Sequence, residues 1–294
     1  MIYLVVWLDS FWLVAMTDRV HTVWGVKLDD IDDVALHDRL TQFVNSDRAH
    51  IVVTPNPEFL LTARKRDGYK SLLALADLSV PDGVGLQYAI AALSEQRLEH
   101  RHMGVDVVEV LAKISVETSS SFVLLGGMHP FLERARQYFA TQYPGVSCTA
   151  INPGFIPDVD DQPLVSQNVI HQLQVADAKI IAVALGRGRG AGLGKQERFM
   201  KELAEKYPSA RIIIGVGGAI DYFGSAVSRA PKLWRQYGLE WLWRLGSQPW
   251  RVRRICNAVV VFPILIAWDT LRSGQFIPAC RRVFREIGLH FRKI

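Results

Sequence analysis

The sequence is poor in cysteine, and its cysteines are not clustered. The 294 residues contain three, Cys148, Cys256 and Cys280, and no two of them stand close together. This spacing excludes a disulfide framework and a cysteine-based zinc site, and it is typical of a protein kept in a reducing cytoplasm.

Long uninterrupted hydrophobic runs are also missing, although 49% of the residues are hydrophobic. A membrane-spanning helix needs about 20 consecutive apolar residues, so we expect that the chain does not span a bilayer. The apolar stretch 1–16 carries Asp9 and no basic residue, which makes it a poor secretory signal. Two alternatives stay open: residues 1–22 form an N-terminal extension or anchor, or translation starts at Met16.

The chain has a net positive charge, and the excess of basic over acidic residues lies at the C-terminal end. From Arg244 onward ten Lys and Arg residues face two acids, a net charge of +8, whereas the whole chain carries only +5. A local excess of one sign indicates a local anionic partner. We expect that partner to be an anionic membrane surface and expect no nucleic acid.

Short apolar runs alternate with helix-length amphipathic stretches over residues 23–243. This alternation is typical of βαβ units and predicts an α/β fold, a Rossmann-like, largely parallel sheet flanked by helices. The predicted strands are 49–54, 121–127, 178–186 and 210–218, and the predicted helices are 57–76, 130–142 and 195–207.

Residues 244–294 form a second unit, a basic and apolar C-terminal appendage. A helix is expected to run into the eleven uncharged residues from Ala258 to Trp268, with a break or kink at Pro263. The tail from Cys280 mixes arginines with bulky apolar residues at helical spacing, which suits a helix lying in an anionic membrane surface. The alternative is a solvated helix that closes the core.

Polar residues stand at the end of the predicted strand 49–54 and shortly after the segment ADLSV, residues 76–80. Thr54 and Asn56, in the segment TPNPE, could bind a sugar or phosphate, or Asn56 could cap the next helix. Asp82, in VPDGVG, could be a general base for a substrate hydroxyl, or a turn-forming aspartate before glycine.

Arg101 and the glycine-rich loop 186–194 are candidate phosphate ligands. Arg101 precedes a glycine and a predicted helix, and a guanidinium suits a diphosphate because it makes two parallel charged hydrogen bonds. The loop GRGRGAGLG fits the dinucleotide pattern, but no acidic residue ends the next strand. Gln196 begins the following helix as part of KQE and could bond a ligand or be ordinary helix sequence.

Two acidic pairs could hold a divalent metal. They are Asp30 with Asp32, in LDDIDD, and Asp158 with Asp160, in IPDVDDQP. We interpret both pairs as solvated acids and expect no metal. His100 and His102 flank Arg101 without a third ligand and are taken as structural.

The order of these motifs is more specific than any one of them. TPNPE, PDGVG, RxxGVD, LLGG, NPGF, KQE, GVGGAIDYFG, SRAP, GLEWLWRL and QPWRVRR, over about 23–254, resemble the WecG/TagA/CpsF family of bacterial glycosyltransferases. The resemblance implies transfer of a sugar, typically N-acetylmannosamine, from a UDP-sugar to undecaprenyl-diphosphate-linked N-acetylglucosamine. The setting is teichoic acid or other cell-surface polysaccharide synthesis at the cytoplasmic face of the membrane, with the enzyme bound peripherally.

The resemblance also implies roles for individual residues. Asp82 is the general base, and no metal or cofactor is required. Substrate-binding roles fall to Thr54, Asn56, Arg101 and Gln196 and to three appendage arginines, Arg244, Arg251 and Arg254. The chain departs from the family pattern before KQE, where a proline is missing, and at NPGF, where a GYF-like turn is common.

Two other functions remain as alternatives. One is an NAD-type oxidoreductase that uses the glycine-rich loop, and the other is a non-catalytic scaffold at the membrane. The oligomeric state also stays open, with a homo-oligomer as one alternative.

Overall fold

Strands and helices alternate along the described part of the chain, as the sequence predicted. The computed structural model describes residues 19–156, 164–185, 194–225, 230–231, 234, 236–247 and 251–292. The strands are β1 (Arg19–Val23), β2 (Val26–Asp30), β3 (His50–Val53), β4 (Leu78–Ser79), β5 (Phe122–Gly126), β6 (Cys148–Ile151), β7 (Ile180–Ala184) and β8 (Ile212–Gly215).

The helices cover most of the remaining described residues. They are α1 (Asp33–Val44), α2 (Pro57–Lys65), α3 (Asp67–Leu73), α4 (Val84–Leu93), α5 (Gly104–Glu117), α6 (Phe131–Gln142), α7 (Gln167–Val175), α8 (Lys195–Lys206), α9 (Ala219–Phe223), α10 (Glu240–Ser247), α11 (Val252–Arg272) and α12 (Phe276–Arg292).

Strands β3 to β8 form one parallel sheet in the order β4-β3-β8-β7-β5-β6. The register pairs Val52 with Ile214 and Leu125 with Val183. Parallel neighbours require crossover connections, which the intervening helices supply. All carboxyl ends of the strands therefore lie at one edge, and the predicted α/β fold with a largely parallel sheet is confirmed.

Alternate strand residues build two hydrophobic layers, one on each face of the sheet. On one face Val52 and Ile214 pack against α1, α5, α6 and α9. On the other face Val53 packs with residues of α2, α4, α7 and α8, and Phe262 and Ile266 of α11 join this layer. The appendage is thus packed on the core of the α/β domain.

The hairpin β1–β2 lies outside the main sheet, against its β4 edge. Its turn residues Trp24 and Gly25 both have positive φ, 52° and 80°, as tight hairpin turns require. Ser79 of β4 donates its hydroxyl to the carbonyl oxygen of Lys27 at 2.6 Å. The hairpin therefore fixes the strand that leads to Asp82.

Two elements differ from the sequence prediction. The predicted helix 57–76 is two helices, because Arg66 is extended at φ −136° and ψ 102° and a second helix begins at Asp67. The short strand β6 was not predicted, since only Ile151 of its four residues is buried and the strand lacks a strong apolar run.

The expected break at Pro263 is wrong, because α11 continues through this residue. The turn before it is π-helical over Asn257–Val261, and the N–H of Phe262 bonds to the carbonyl of Asn257, five residues earlier. Proline clashes with the carbonyl four residues before it in an α-helix. A wide π turn moves that carbonyl aside, so the helix tolerates the ring.

The continuity of α11 makes a longer apolar helix than the eleven-residue run in the sequence suggested, and the absence of a membrane span stays a prediction. By length and composition, the 21-residue helix Val252–Arg272 is long and apolar enough to cross a bilayer. One side of it is nevertheless packed on the domain, since Phe262, Ile266 and Thr270 are at most 5% exposed. Its exposed apolar side chains are Val252, Val260, Ile264, Trp268 and Leu271.

The tail helix α12 has features of both alternatives from the sequence, a helix that closes the core and a helix with an exposed apolar face. One face closes the fold, because Ala279 and Glu286 are buried against the rest of the chain. The other face exposes Ile277, Phe284 and Phe291 to solvent, with 73% of Phe284 accessible. The two exposed helix faces of the appendage therefore carry apolar side chains.

Several sequence predictions lie outside the described residues. These are most of the N-terminal extension, residues 1–18, the acidic pair Asp158 and Asp160, and most of the glycine-rich loop, residues 186–193.

Candidate functional site

The loops at the carboxyl edge of the sheet bring the predicted site residues together. Strand β3 leads into Thr54 and Asn56, β4 leads into Asp82, and β8 leads into the glycine loop 215–218, which contains three glycines. Strands β4, β3 and β8 are neighbours in the sheet. Open α/β sheets collect ligands at this edge, and the sequence prediction places its residues there.

Thr54 and Asn56 play different local parts. Asn56 caps α2, because its Oδ1 accepts hydrogen bonds from the backbone N–H of Glu58 at 3.0 Å and Phe59 at 3.4 Å. The capping alternative is therefore correct for the amide oxygen of Asn56. Thr54 is buried, and its Oγ1 lies 3.5 Å from the carbonyl oxygen of Gly215.

Asp82 sits on a tight turn that only a glycine can complete. Its backbone N–H donates to the carbonyl of Pro55 at 2.8 Å, and the next residue, Gly83, has φ of +98°. A Cβ atom on Gly83 would meet nothing within 4 Å, so the turn borders open space. The turn leads directly into α4 and leaves the half-buried Asp82 at the edge of that space.

Arg101 is the positive partner of this aspartate. Burial lowers the pKa of Arg101 below its ordinary value, and the negative charge of Asp82 opposes the shift. The site thus combines a candidate proton acceptor with a partly desolvated cation.

Backbone hydrogen bonds join the three loops side by side. The N–H of Asp82 reaches Pro55, in the loop after β3, and the N–H of His102 reaches the carbonyl of Pro81 at 3.1 Å. Gly104 begins α5 against Thr54, because a Cβ atom on Gly104 would lie 3.3 Å from Thr54 Oγ1. The relative positions of Thr54, Asp82 and Arg101 are therefore set by main-chain contacts.

Gln196 reaches the same edge from α8. Its Oε1 accepts from the N–H of Gly217 at 3.2 Å, and a Cβ atom on Gly215 would lie 2.5 Å from its Nε2. Gly215 must therefore be a glycine for Gln196 to lie there. The Gln196 side chain thus contacts the same loop, residues 215–218, that Thr54 contacts. It lies next to the other predicted residues, as the KQE motif predicts.

Arg251 of the appendage lies at this edge. Arg251 Nη2 and Asp221 Oδ2 lie 3.4 Å and 3.6 Å from where a Cβ atom on Gly218 would be. Burial raises the pKa of Asp221, and the charge of Arg251 opposes the rise. Arg251 thus adds a cation beside the backbone of the glycine loop.

Arg254 lies on the other side, at the start of α2. It donates from Nε to Glu58 Oε2 at 2.8 Å, while its Nη2 lies 2.7 Å from the same oxygen. Arg244, the third predicted arginine, belongs to α10, and its side chain lies outside the described part of the chain. The structure therefore brings two of the three predicted arginines to the site.

Sequence reasoning missed the buried acids around the site. Asp29 and Asp30 were interpreted within a solvated acidic segment, but they are 5% and 4% exposed. A signal was present: in β2, Asp30 shares the inward face of Val26 and Leu28 because side chains alternate along a strand. Asp221, next to Arg251, was not singled out either.

His100 and His102 have structural partners, as predicted. His100 Nδ1 contacts Asp30 Oδ1 at 3.0 Å, and His102 Nε2 contacts the carbonyl of Ile31 at 2.7 Å. Within the described ranges, no three His, Cys, Asp or Glu side chains form a cluster that could hold a metal ion. Metal independence stays a prediction.

One comparison with known proteins bears on the identity of the site. The Glycosyl transferase WecG/TagA/CpsF family matches residues 21–275 of the chain. The matched range includes β2, every predicted site residue and α11, and it ends just before α12. The family match favours the glycosyltransferase over the oxidoreductase and scaffold alternatives.

Proposed function

The chain belongs to the WecG/TagA/CpsF family of glycosyl transferases, and on that premise we propose an inverting, metal-independent sugar transfer from a UDP-sugar to a lipid-linked acceptor. Family membership supports a glycosyltransferase of cell-surface polysaccharide synthesis. The proposed donor sugar is N-acetylmannosamine, and the proposed acceptor is N-acetylglucosamine on undecaprenyl diphosphate. The proposed setting is teichoic acid or exopolysaccharide synthesis. The observation that carries the proposal is that Asp82 and the half-buried Arg101 lie at the same carboxyl edge of the sheet, beside open space.

Asp82 is the proposed general base. A hydroxyl oxygen of the acceptor sugar attacks the anomeric carbon of the donor from the side opposite UDP, and the hydroxyl proton passes to Asp82. The bond between the anomeric carbon and the UDP oxygen breaks, and its electron pair stays on the diphosphate. A single displacement inverts the anomeric configuration. The aspartate acts from within about 3 Å of the hydroxyl it deprotonates.

Arginines supply the positive charge in this proposal. Negative charge grows on the diphosphate as UDP leaves, and fixed cations in a partly desolvated site stabilise such charge. Arg101 beside Asp82 and Arg251 beside Gly218 lie at the edge that the diphosphate would occupy. Thr54 and Gln196, which both contact Gly215, shape the pocket between them.

The appendage explains how a soluble domain would reach a lipid-linked acceptor. Apolar side chains are exposed along α11 and α12, and arginines 281, 285 and 292 lie on α12. Each basic residue near an anionic lipid surface contributes on the order of 1 kcal/mol of attraction. Because the opposite side of α11 is packed on the domain, we place the enzyme on the cytoplasmic membrane surface as a peripheral protein.

A donor panel tests the proposal directly. The purified full chain is incubated with a short-chain prenyl-diphosphate-linked N-acetylglucosamine and, in turn, UDP-N-acetylmannosamine, UDP-N-acetylglucosamine and UDP-glucose. We expect mass spectrometry to find one added N-acetylhexosamine with the first donor, unchanged by a metal chelator. NMR of the product should find the inverted anomer. No product from any donor would overturn the proposed reaction, and retention would overturn the single displacement.

A further inference from the structure

The loop that carries Arg101 is held, just before this arginine, by one buried carboxylate. Asp30 Oδ2 accepts from the backbone N–H of Glu99 at 2.9 Å, and Asp30 Oδ1 accepts from the N–H of His100 at 2.9 Å. The ring of His100 adds a contact of 3.0 Å to Oδ1, and His21 Nε2 lies 3.2 Å from Oδ2. The Asp30 side chain is 1% exposed.

This loop has no regular structure of its own. Residues 96–103, between α4 and α5, form neither helix nor strand. Ladder hydrogen bonds therefore do not set its backbone; single hydrogen bonds do so, namely those to Asp30 and the backbone bond from His102 to Pro81. The last two N–H groups before Arg101 both point at Asp30. The backbone position of Arg101 thus follows from the position of this carboxylate.

The neighbouring Asp29 holds the backbone that leads into the loop of Asp82 in the same way. Its Oδ2 accepts from the N–H of Ser79 at 2.7 Å, three residues before Asp82. His102 then joins the two loops through its bond to Pro81. Consecutive residues of one hairpin strand therefore hold the two loops that carry the reacting pair.

We propose that Asp30 is a positioning residue for the sugar transfer, acting through the backbone of residues 99–100 to place Arg101 beside Asp82. The inference rests on the proposed function, in which Arg101 and Asp82 form the reactive centre. Burial opposes ionisation of Asp30, but hydrogen bonds from His21, Glu99 and His100 outweigh it and lower its pKa to about 2. Its charge is therefore constant at physiological pH, and it serves as a fixed anchor.

Asp30→Asn is the decisive substitution, because it keeps the shape of the side chain and replaces one acceptor oxygen by an NH2 group, which can only donate. Several N–H groups face the two oxygens, so one of them meets an amide nitrogen in the variant. Misplacement of a reacting group by about 1 Å costs up to 100-fold in rate. We expect kcat to fall about 10- to 100-fold, with a smaller change in the donor KM.

Asp77→Asn is the matched control. Asp77 likewise accepts a backbone N–H, from Ile51 at 2.9 Å, and contacts Arg48, but it lies at the amino end of the sheet. A general loss of stability would slow both variants equally. We expect the control to retain the wild-type kcat after correction for the folded fraction.

A double substitution separates positioning from stability. If Asp30 acts through Arg101, adding Asp30→Asn to Arg101→Lys should lower kcat much less than Asp30→Asn does in the wild type. Asp77→Asn should change kcat by the same factor in both backgrounds. Full additivity of Asp30→Asn with Arg101→Lys would overturn the inference. His100→Ala, which removes only the 41%-exposed ring from Asp30, provides a milder variant that does not depend on the folding of Asp30→Asn; an unchanged kcat there would also count against it.

Hydrogen exchange keeps this inference separate from the proposed reaction. We expect Asp30→Asn to raise the exchange of amides 96–103 at least tenfold, while β5 and β7 stay protected and Asp77→Asn leaves the loop unchanged. Wild-type enzyme without transfer would refute the reaction alone. Wild-type turnover combined with unchanged loop exchange in Asp30→Asn would refute the positioning role alone.

Discussion

Arg254 of the appendage binds one carboxylate oxygen of Glu58, the last residue of the TPNPE segment, through two nitrogens at 2.8 and 2.7 Å. The side chain of Glu58 is 10% exposed and that of Arg254 is 37% exposed, so only the carboxylate of this ion pair is shielded from water. The contact links the start of α11 to the start of α2, next to Asn56. It gives the arginine a partner within the protein, in addition to the diphosphate that the family resemblance assigns to it.

The first prediction distinguishes these two roles of Arg254. Glu58→Gln removes the protein partner, whereas Arg254→Gln removes the cation as well. If Arg254 also binds the diphosphate, Arg254→Gln should lower kcat/KM at least tenfold more than Glu58→Gln. Equal losses in steady-state kinetics would instead make the arginine a structural contact of the appendage.

The second prediction concerns Asp82. Asp82→Asn removes the proton acceptor at constant shape, so we expect transfer to fall at least 1000-fold, within the range that general base catalysis contributes. UDP binding, followed by calorimetry, and the thermal unfolding midpoint should stay at wild-type values. Turnover like that of the wild type would remove Asp82 from the mechanism.

The third prediction tests the membrane face. Ile264→Glu places a charge on the exposed side of α11, where the side chain is 60% accessible. We expect this variant to float less with anionic vesicles and to keep its thermal stability. The effect should be larger at low salt, since basic residues also contribute to the attraction.

Ile266→Glu is the control for that surface. Ile266 is 5% exposed and packs in the core, so a charge there should destabilise the fold by several kcal/mol. If Ile264→Glu floats as well as the wild type does, α11 does not face the lipid.

The fourth prediction concerns acid stability. The pKa of Asp30 is lowered from 3.8 to about 2 in the folded protein. A depressed carboxyl pKa adds stability above the unfolded value, here roughly 2 kcal/mol, and that stability disappears as pH falls from about 4 to about 2. We expect wild type to exceed Asp30→Asn in urea unfolding free energy at pH 5.

That difference should shrink toward pH 2, because protonation of Asp30 removes the charge that the variant already lacks. The comparison cancels the other carboxyl groups, which both proteins share. A difference that stays constant down to pH 2 would contradict the lowered pKa.

Local patterns predicted the parallel sheet and the position of Asp82 at its carboxyl edge well. The apolar runs ending in Gly, Asn or Asp correctly placed Thr54 and Asp82 at one edge, because parallel strands present their carboxyl ends together. The family resemblance added Arg101, which no local pattern distinguishes from a surface charge.

Other features depended on contacts that the sequence does not display. The burial of Asp29 and Asp30 arises because the hairpin lies along β4, a long-range packing event. The helix through Pro263 depends on a π turn just before it. The paired state of Arg254 requires Glu58, which is 196 positions away along the chain.

The buried Glu286 of α12 also bears on residues far from the C-terminus. It accepts hydrogen bonds from Gln87 of α4 at 2.6 Å and from Arg97 Nε at 2.6 Å. Arg97 opens the loop that reaches Arg101 four residues later, so the last helix of the chain holds one end of that loop while Asp30 holds the other. A protein shortened at residue 275, where the family match ends, would lose this acceptor beneath Gln87 and Arg97. A helix beyond the matched range therefore contributes a buried acceptor to the loop that carries Arg101.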